Sequence, residues 1–162
     1  MPRNEEAQLN DLTREVGHAH LAAERLFLAA LWLDPIGGNN AAHDAGLCER
    51  DFGSLAHRFV FWFACTCAVE NVLPSKADCV EVSRMVGEPI TFDELNELLD
   101  DIYRQPDQCR EGSVWELAAT VKRNARERRA AHLHGLKAGR ILRNWWARHL
   151  PMARRQRVER AA

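Results

Sequence analysis

Histidine and cysteine side chains, the residue types that most often bind transition metals, occur as closely spaced pairs at three places in the sequence. The two members are two residues apart in each pair: His18 and His20, Cys65 and Cys67, and His132 and His134. Residues two apart on an α-helix lie about 200° from each other around the axis, so such a pair cannot bind one ion. The His18 pair escapes this objection only if it precedes its helix. We therefore expect no metal ion and no other cofactor, and we interpret the thiols as small core residues.

His57 and Arg58 begin the most apolar segment of the chain, Ser54–Val69. A catalytic histidine needs a nucleophile or a pair of carboxylates within reach, and the sequence points to neither. Buried polar groups at the start of a helix usually bond neighbouring carbonyls or carboxylates, here for example Asp51 or Glu49. A structural role is therefore predicted for both side chains. An enzyme of unrecognised type is the least favoured function.

Basic residues are concentrated towards the C-terminus. Between residues 122 and 160 there are 13 Lys and Arg against two Glu, a net charge of +11, whereas the rest of the chain carries −12. Such an asymmetry is informative about partners rather than about the fold. The candidate binding residues in this segment are Arg126, Arg129, Lys137, Arg140, Arg143, Trp145 and Trp146.

Three interpretations of this basic segment remain open. Its cations could bind the phosphates of single-stranded or duplex DNA, with the two tryptophans stacking on exposed bases. It could dock onto an acidic protein surface, including the acidic body of a second copy, or it could be a solvated helix face. Two adjacent tryptophans near a chain end indicate burial or an interface, which favours a homo-oligomer.

The hydrophobic pattern predicts helices and no strands, so the expected fold class is all-α: a compact helical bundle followed by a long C-terminal helix or helical hairpin. The Ser54–Val69 segment is apolar nearly all round and is predicted to be the central helix, with Ser54 as its N-cap. A helix over residues 20–33 should end at Asp34-Pro35, before a turn over 36–40 in which Asn39 or Asn40 caps a short helix.

The second half of the chain shows two capping boxes, Thr91–Glu94 and Ser113–Glu116, each of which marks the start of a helix. An earlier helix over residues 76–85 is predicted to face Ala77, Val80 and Met85 inward. The stripes predicted to face the core in the two later helices are Phe92, Leu95, Leu98, Leu99 and Ile102, and then Val114, Ala118, Val121 and Ala125.

Four segments are predicted. Residues 1–17 form a partly ordered N-terminal segment, and residues 18–112 form the helical bundle. Residues 113–150 form the long basic helix or hairpin, in which Gly135 and Gly139 could provide a hinge. Residues 151–162, which begin with Pro151, are expected to be a basic disordered tail.

Three blocks of the sequence resemble the N-terminal domain of the DnaB-like family of replicative DNA helicases. The family's Glu-x-x-Val-Leu-Gly-x-Leu-Leu-x-Asp-Pro is similar to Glu24–Pro35, which includes Asp34. Its Leu-x-x-x-Asp-Phe-x-x-x-x-His-Arg-x-Ile-Phe matches Leu47, Asp51, Phe52, His57, Arg58, Val60 and Phe61. Its Asn-x-x-x-Tyr-Ala-x-Ile-Val-x-x-x-Ala-x-x-Arg resembles Ser113, Leu117, Ala118, Val121, Ala125 and Arg128.

This resemblance implies a non-catalytic helical module that ends in a helical hairpin, forms a collar on a hexamer and binds the C-terminal domain of primase. No Gly-x-x-x-x-Gly-Lys-Ser/Thr nucleotide loop occurs, and the only Gly-Gly pair, Gly37-Gly38, precedes Asn-Asn. The expected function is therefore a protein-interaction module of DNA replication, with primase, a replicative helicase or a helicase loader as partner. The alternative is a nucleic-acid-binding protein that uses the basic segment.

The cellular location is also an expectation from sequence. Five cysteines without the spacing of a disulfide framework favour a reducing compartment, and the first residues do not lead into the apolar segment of a secretory signal. The most apolar segment is too short and too interrupted to be a membrane span. We expect a cytoplasmic protein without a membrane partner.

Overall fold

The computed structural model describes the backbone of residues 2–105 and 113–149, and the side chains of residues 14–105, 113–137 and 140. These residues form six α-helices, one 3-10 turn and no strand, which confirms the predicted all-α class. The helices are α1 (Pro2–Leu33), α2 (Pro35–Ala45), α3 (Leu55–Val69), α4 (Lys76–Val86), α5 (Phe92–Arg104) and α6 (Val114–His149). The 3-10 turn, Glu49–Asp51, lies between α2 and α3.

The contacts within the chain define two units. The body comprises the residues up to Ala125, and the arm begins at Arg126. The division falls inside α6, within the segment over residues 113–150 that the sequence predicted as one long basic helix or hairpin. The backbone is helical through both Gly135 and Gly139. The predicted tail over residues 151–162 lies outside the described residues.

The central helix of the body is α3, as predicted, and it packs against α1, α2, the 3-10 turn, α4 and α5. Aromatic and aliphatic side chains on most of its circumference are buried, including Phe59, Val60 and Phe63. The hydroxyl of Ser54 accepts a hydrogen bond of 3.1 Å from the backbone N–H of His57. The predicted N-cap is therefore confirmed.

Helix α1 is longer than the sequence pattern indicated. It is helical from Pro2, so residues 1–17 do not form a segment separate from the helix predicted over residues 20–33. Its C-terminal half supplies core residues: every residue from Phe27 to Trp32 is buried. Helix α1 ends at Leu33, which confirms the predicted end before Asp34-Pro35. The helix ends there because proline disfavours the helical conformation of the residue before it.

The predicted turn over residues 36–40 is wrong, because these residues are helical. The cap of α2 is Asp34, whose carboxylate accepts a hydrogen bond of 3.0 Å from the N–H of Gly37, and Pro35 occupies the first turn. The lack of a side chain at Gly38 permits close packing, since a Cβ there would lie 2.7 Å from the Cα of Leu31. Gly38 therefore allows α2 to pack closely against α1.

The predicted inner face of α4 is wrong at two of its three positions. Ala77 and Met85 are exposed, whereas Cys79 and Ser83 are buried and Val80 is partly buried. The inward face is therefore rotated from the predicted one, since the core accepts a small thiol and a hydroxyl more closely than the long Met85. The exposed end of α4 leaves apolar side chains on the surface.

The inner stripes of α5 and α6 agree with prediction at most positions. In α5 the four predicted aliphatic side chains are buried, Phe92 is exposed, and the Thr91–Glu94 capping box is formed. In α6 Ala118, Val121 and Ala125 are buried. The second capping box differs from prediction, because the hydroxyl of Ser113 accepts from the N–H of Trp115.

Candidate functional site

Glu24 and His57, polar residues of the first two helicase-like blocks, meet inside the body. The carboxylate of Glu24 on α1 is fully buried, and its Oε2 lies 2.6 Å from Nδ1 of His57 on α3. Both carboxylate oxygens also accept from the backbone N–H of Gly53, at 3.0 Å each. One carboxylate thus joins α1, the first turn of α3 and the loop before it.

A second buried carboxylate, Asp51, closes the loop between α2 and α3. It accepts a hydrogen bond of 2.9 Å from the N–H of Cys48 and an ion-paired bond of 2.9 Å from Nζ of Lys122 on α6. Lys122 also donates to the carbonyl of Gly46 at 2.6 Å. This lysine, which the sequence counts with the basic segment, therefore belongs to the body.

Arg58 and Phe52 complete this cluster of motif residues. Nε of Arg58 donates a hydrogen bond of 3.0 Å to the carbonyl of Phe52, so it holds the loop against the first turn of α3. The ring of Phe52 is buried against Phe27 and Phe61, with centroid distances of 6.4 and 4.7 Å. Asp34, the remaining motif residue, caps α2 as described above.

The five motif residues thus all have contacts that stabilise the body. The structural role predicted for His57 and Arg58 agrees with these contacts, although the partner of His57 is Glu24 and not Asp51 or Glu49. The sequence pattern missed Glu24, and the available signal was a carboxylate close to the apolar C-terminal half of α1. Such a residue requires buried partners, which only the packing of α1 on α3 identifies.

Cys65, Cys67 and Cys79 lie in or against the hydrophobic core, whereas Cys48 is exposed. Burial raises the pKa of Cys65 from 9.0 to about 12, with a further contribution from the charge of Glu49. Burial also raises the pKa of Cys79 to about 12, and nearby Cys67 adds to the effect. Both thiols are therefore protonated at neutral pH. In the described part of the chain, no group of three or more His, Cys, Asp or Glu side chains is placed to hold a metal ion.

The arm presents the predicted basic residues on one face of α6. Six of its exposed residues lie on the same side of the helix: Arg126, Arg129, Leu133, Leu136, Lys137 and Arg140. At about 100° per residue, these six positions fall within an arc of about 100°, along roughly 21 Å of helix. We call this set the arm face. Its cations occur as two pairs, one at each end.

The two leucines of the arm face were not among the predicted binding residues. Leu133 is 65% exposed and Leu136 is 53% exposed, between the two pairs of cations. Aliphatic side chains on an otherwise charged helix are a recognisable signal of a surface that contacts another molecule. The backbone of Arg143, Trp145 and Trp146 is helical, but their side chains lie outside the described residues.

A groove on the body, which the sequence did not indicate, carries the opposite charge. It has a volume of about 330 Å³ and lies between α5, the start of α3 and α1. Leu55, Ala56 and Leu98 line it, and three carboxylates line it on the α5 side. These carboxylates belong to Glu94, Glu97 and Asp101. We call this the acidic groove.

None of the helices, as far as they are described, is long and apolar enough to cross a membrane. Comparisons of the chain with protein-family models, curated proteins and solved structures found no match. The helicase resemblance therefore depends on the three sequence blocks alone. The residues of those blocks and the arm face are the two features from which a function can be argued.

Proposed function

We propose that this protein is a non-catalytic protein-interaction module of DNA replication, comparable in role to the N-terminal domain that its sequence blocks resemble. Its partner would be a primase, a replicative helicase or a helicase loader. The observation that carries the proposal is that two sets of residues differ in burial and in their contacts. Asp51 and His57 of the motif residues are buried and paired within the body, whereas the residues of the arm face are exposed.

The arm face favours a partner surface with carboxylates around an apolar patch. Exposed arginines bind carboxylates through paired hydrogen bonds, and leucines between them add apolar contact at the centre of the interface.

The four described cysteines are free thiols, which supports the expected reducing, cytoplasmic location.

The direct test is binding of the purified protein to the primase C-terminal domain, the helicase and the loader of the same cell, measured by calorimetry. The variant Arg126→Ala/Arg140→Ala removes two positive charges from the arm face. The control Ala131→Glu/Gly135→Glu changes the net charge equally, but on the opposite side of the same helix. We expect the first variant to weaken binding about tenfold or more and the control to leave it unchanged. Failure of all three partners to bind would refute the proposal.

A second function is supported by the same arm face: binding of single-stranded DNA. Four exposed cations at Arg126, Arg129, Lys137 and Arg140 could each contact a phosphate. Neutralising four phosphates of a single strand predicts that log K falls with log salt with a slope of about −3. The Arg126→Ala/Arg140→Ala variant should reduce that slope to about −1.4.

Fluorescence anisotropy with a labelled oligothymidylate measures this slope. The control Ala131→Glu/Gly135→Glu lowers the net charge by the same amount and should retain the wild-type slope. Equal effects of the two variants would show a non-specific charge effect and exclude the arm face as a DNA site. Binding that is absent at low salt would exclude this function altogether.

A further inference from the structure

The arm face and the acidic groove carry complementary surfaces on the same chain. Between Arg126 and Arg140 the arm contains five basic residues and one Glu, a net charge of +4. Helix α5 contains five acidic residues and one Arg, a net charge of −4. Opposite charges on two exposed elements steer their association and fix its register.

The apolar parts of the two surfaces also correspond. The groove is lined by exposed Leu55, by Ala56 and by Leu98, while the arm face places Leu133 and Leu136 between its cations. An amphipathic helix commonly docks by inserting such aliphatic side chains into a groove. Of the described residues that line the groove, Arg25 on the α1 side is positively charged and three carboxylates are negatively charged, so the groove has a net negative charge.

The spacing of the charges is compatible with this contact. Glu94 and Asp101 are seven residues apart on α5, which corresponds to about 10 Å along the helix axis. Arg129 and Lys137, which bracket the two leucines, are eight residues apart on α6, or about 12 Å. A helix lying along the groove can therefore bring one cation near each end of the row of carboxylates.

From these features we infer that the arm face of one copy docks in the acidic groove of a second copy, and that the contact is reciprocal. A single helix face is small compared with the roughly 1,600 Å² buried in a standard interface, whereas a two-fold pair makes the contact twice. The occupant of the groove is therefore a segment of this same protein. The inference does not depend on the proposed function.

The test is light scattering coupled to size-exclusion chromatography of the full chain. At about 50 mM salt the wild type should have twice the 18.4 kDa mass of one chain, and at about 500 mM salt, where charges are screened, it should be a monomer. Two charge-reversal variants are compared with it. The groove variant is Glu97→Lys/Asp101→Lys, and the arm variant is Lys137→Glu/Arg140→Glu.

Each variant alone places like charges across both contacts, so its dimer should dissociate at least about 100-fold more readily. An equimolar mixture of the two restores opposite charges at both contacts and should form a heterodimer, which also shows that both variants are folded. The control Glu70→Lys/Glu81→Lys reverses two exposed carboxylates outside the groove and should remain dimeric.

Three results would overturn the inference. They are a wild type that is monomeric at low salt, variants that dimerise as well as the wild type, and a mixture that remains monomeric. A monomeric protein that still binds a replication protein or DNA through the arm face would refute the self-docking alone. Conversely, a dimer with the expected variant behaviour but no such binding would refute only the proposed function.

Discussion

Replacement of Glu24 by alanine should destabilise the body more than any change on its surface. The carboxylate is fully buried, and it supplies the acceptor for the N–H of Gly53 and the partner of Nδ1 of His57. Removing it leaves both groups without that partner in the interior and also creates a cavity. Breaking a buried pair in this way costs roughly 3–5 kcal/mol, a large part of the roughly 5–15 kcal/mol that stabilises a typical domain.

Urea unfolding followed by near-ultraviolet circular dichroism measures this loss, because the signal reports the packed aromatic side chains of the body. With a dependence of roughly 2 kcal/mol per molar urea, the unfolding midpoint of Glu24→Ala should fall by about 2 M. Glu24→Gln retains an acceptor oxygen and the side-chain volume, so it should lose less, about 1–3 kcal/mol.

The matched control is Glu15→Ala, which removes an exposed carboxylate from the same helix. Its effect should remain within about 0.5 kcal/mol. If Glu24→Ala shifts the midpoint no more than Glu15→Ala does, the buried carboxylate is not a main connection between α1 and α3. The structural interpretation of the helicase-like residues would then be incorrect.

Three further predictions concern glycines and thiols. Gly38→Ala should destabilise by about 1–3 kcal/mol, because its Cβ meets the backbone of α1 at 2.7 Å, whereas Gly17→Ala, in open space within α1, should stabilise by about 0.5–1 kcal/mol. Thermal unfolding of both variants measures the difference. In peptide mapping after brief alkylation at neutral pH, exposed Cys48 should be modified well before buried Cys79. Equal labelling would contradict the assigned burial. Because the folded pKa of Cys65 and Cys79 is raised from 9.0 to about 12, their protonated forms stabilise the fold below pH 9. Stability should therefore decrease as the pH rises from about 9 towards 12, and less so in Cys79→Ala. Urea midpoints across this range test it, and an unchanged pH slope in Cys79→Ala would count against a contribution from this thiol.

Local signals were sufficient for most of the helices. The caps at Ser54 and Thr91 depend on hydrogen bonds between residues three apart, and the stripe of α5 depends on helical periodicity, so both are encoded within one turn or a few. Prediction failed where a local sequence signal was compatible with two different backbone structures. The Gly37-Gly38 pair favours a turn by propensity, yet close packing against Leu31 makes it helical.

What the sequence determined by itself is the helical class, most helix starts and the basic character of the arm, because each follows from residue type and short-range spacing. Only the tertiary structure decided that Glu24 is the partner of His57, 33 residues away, and that Lys122 pairs with Asp51, 71 residues away. It also decided that three carboxylates of α5 share a groove with Leu55. Such pairings depend on how helices pack, and many distant pairs of charged residues in one sequence are equally compatible with its local pattern.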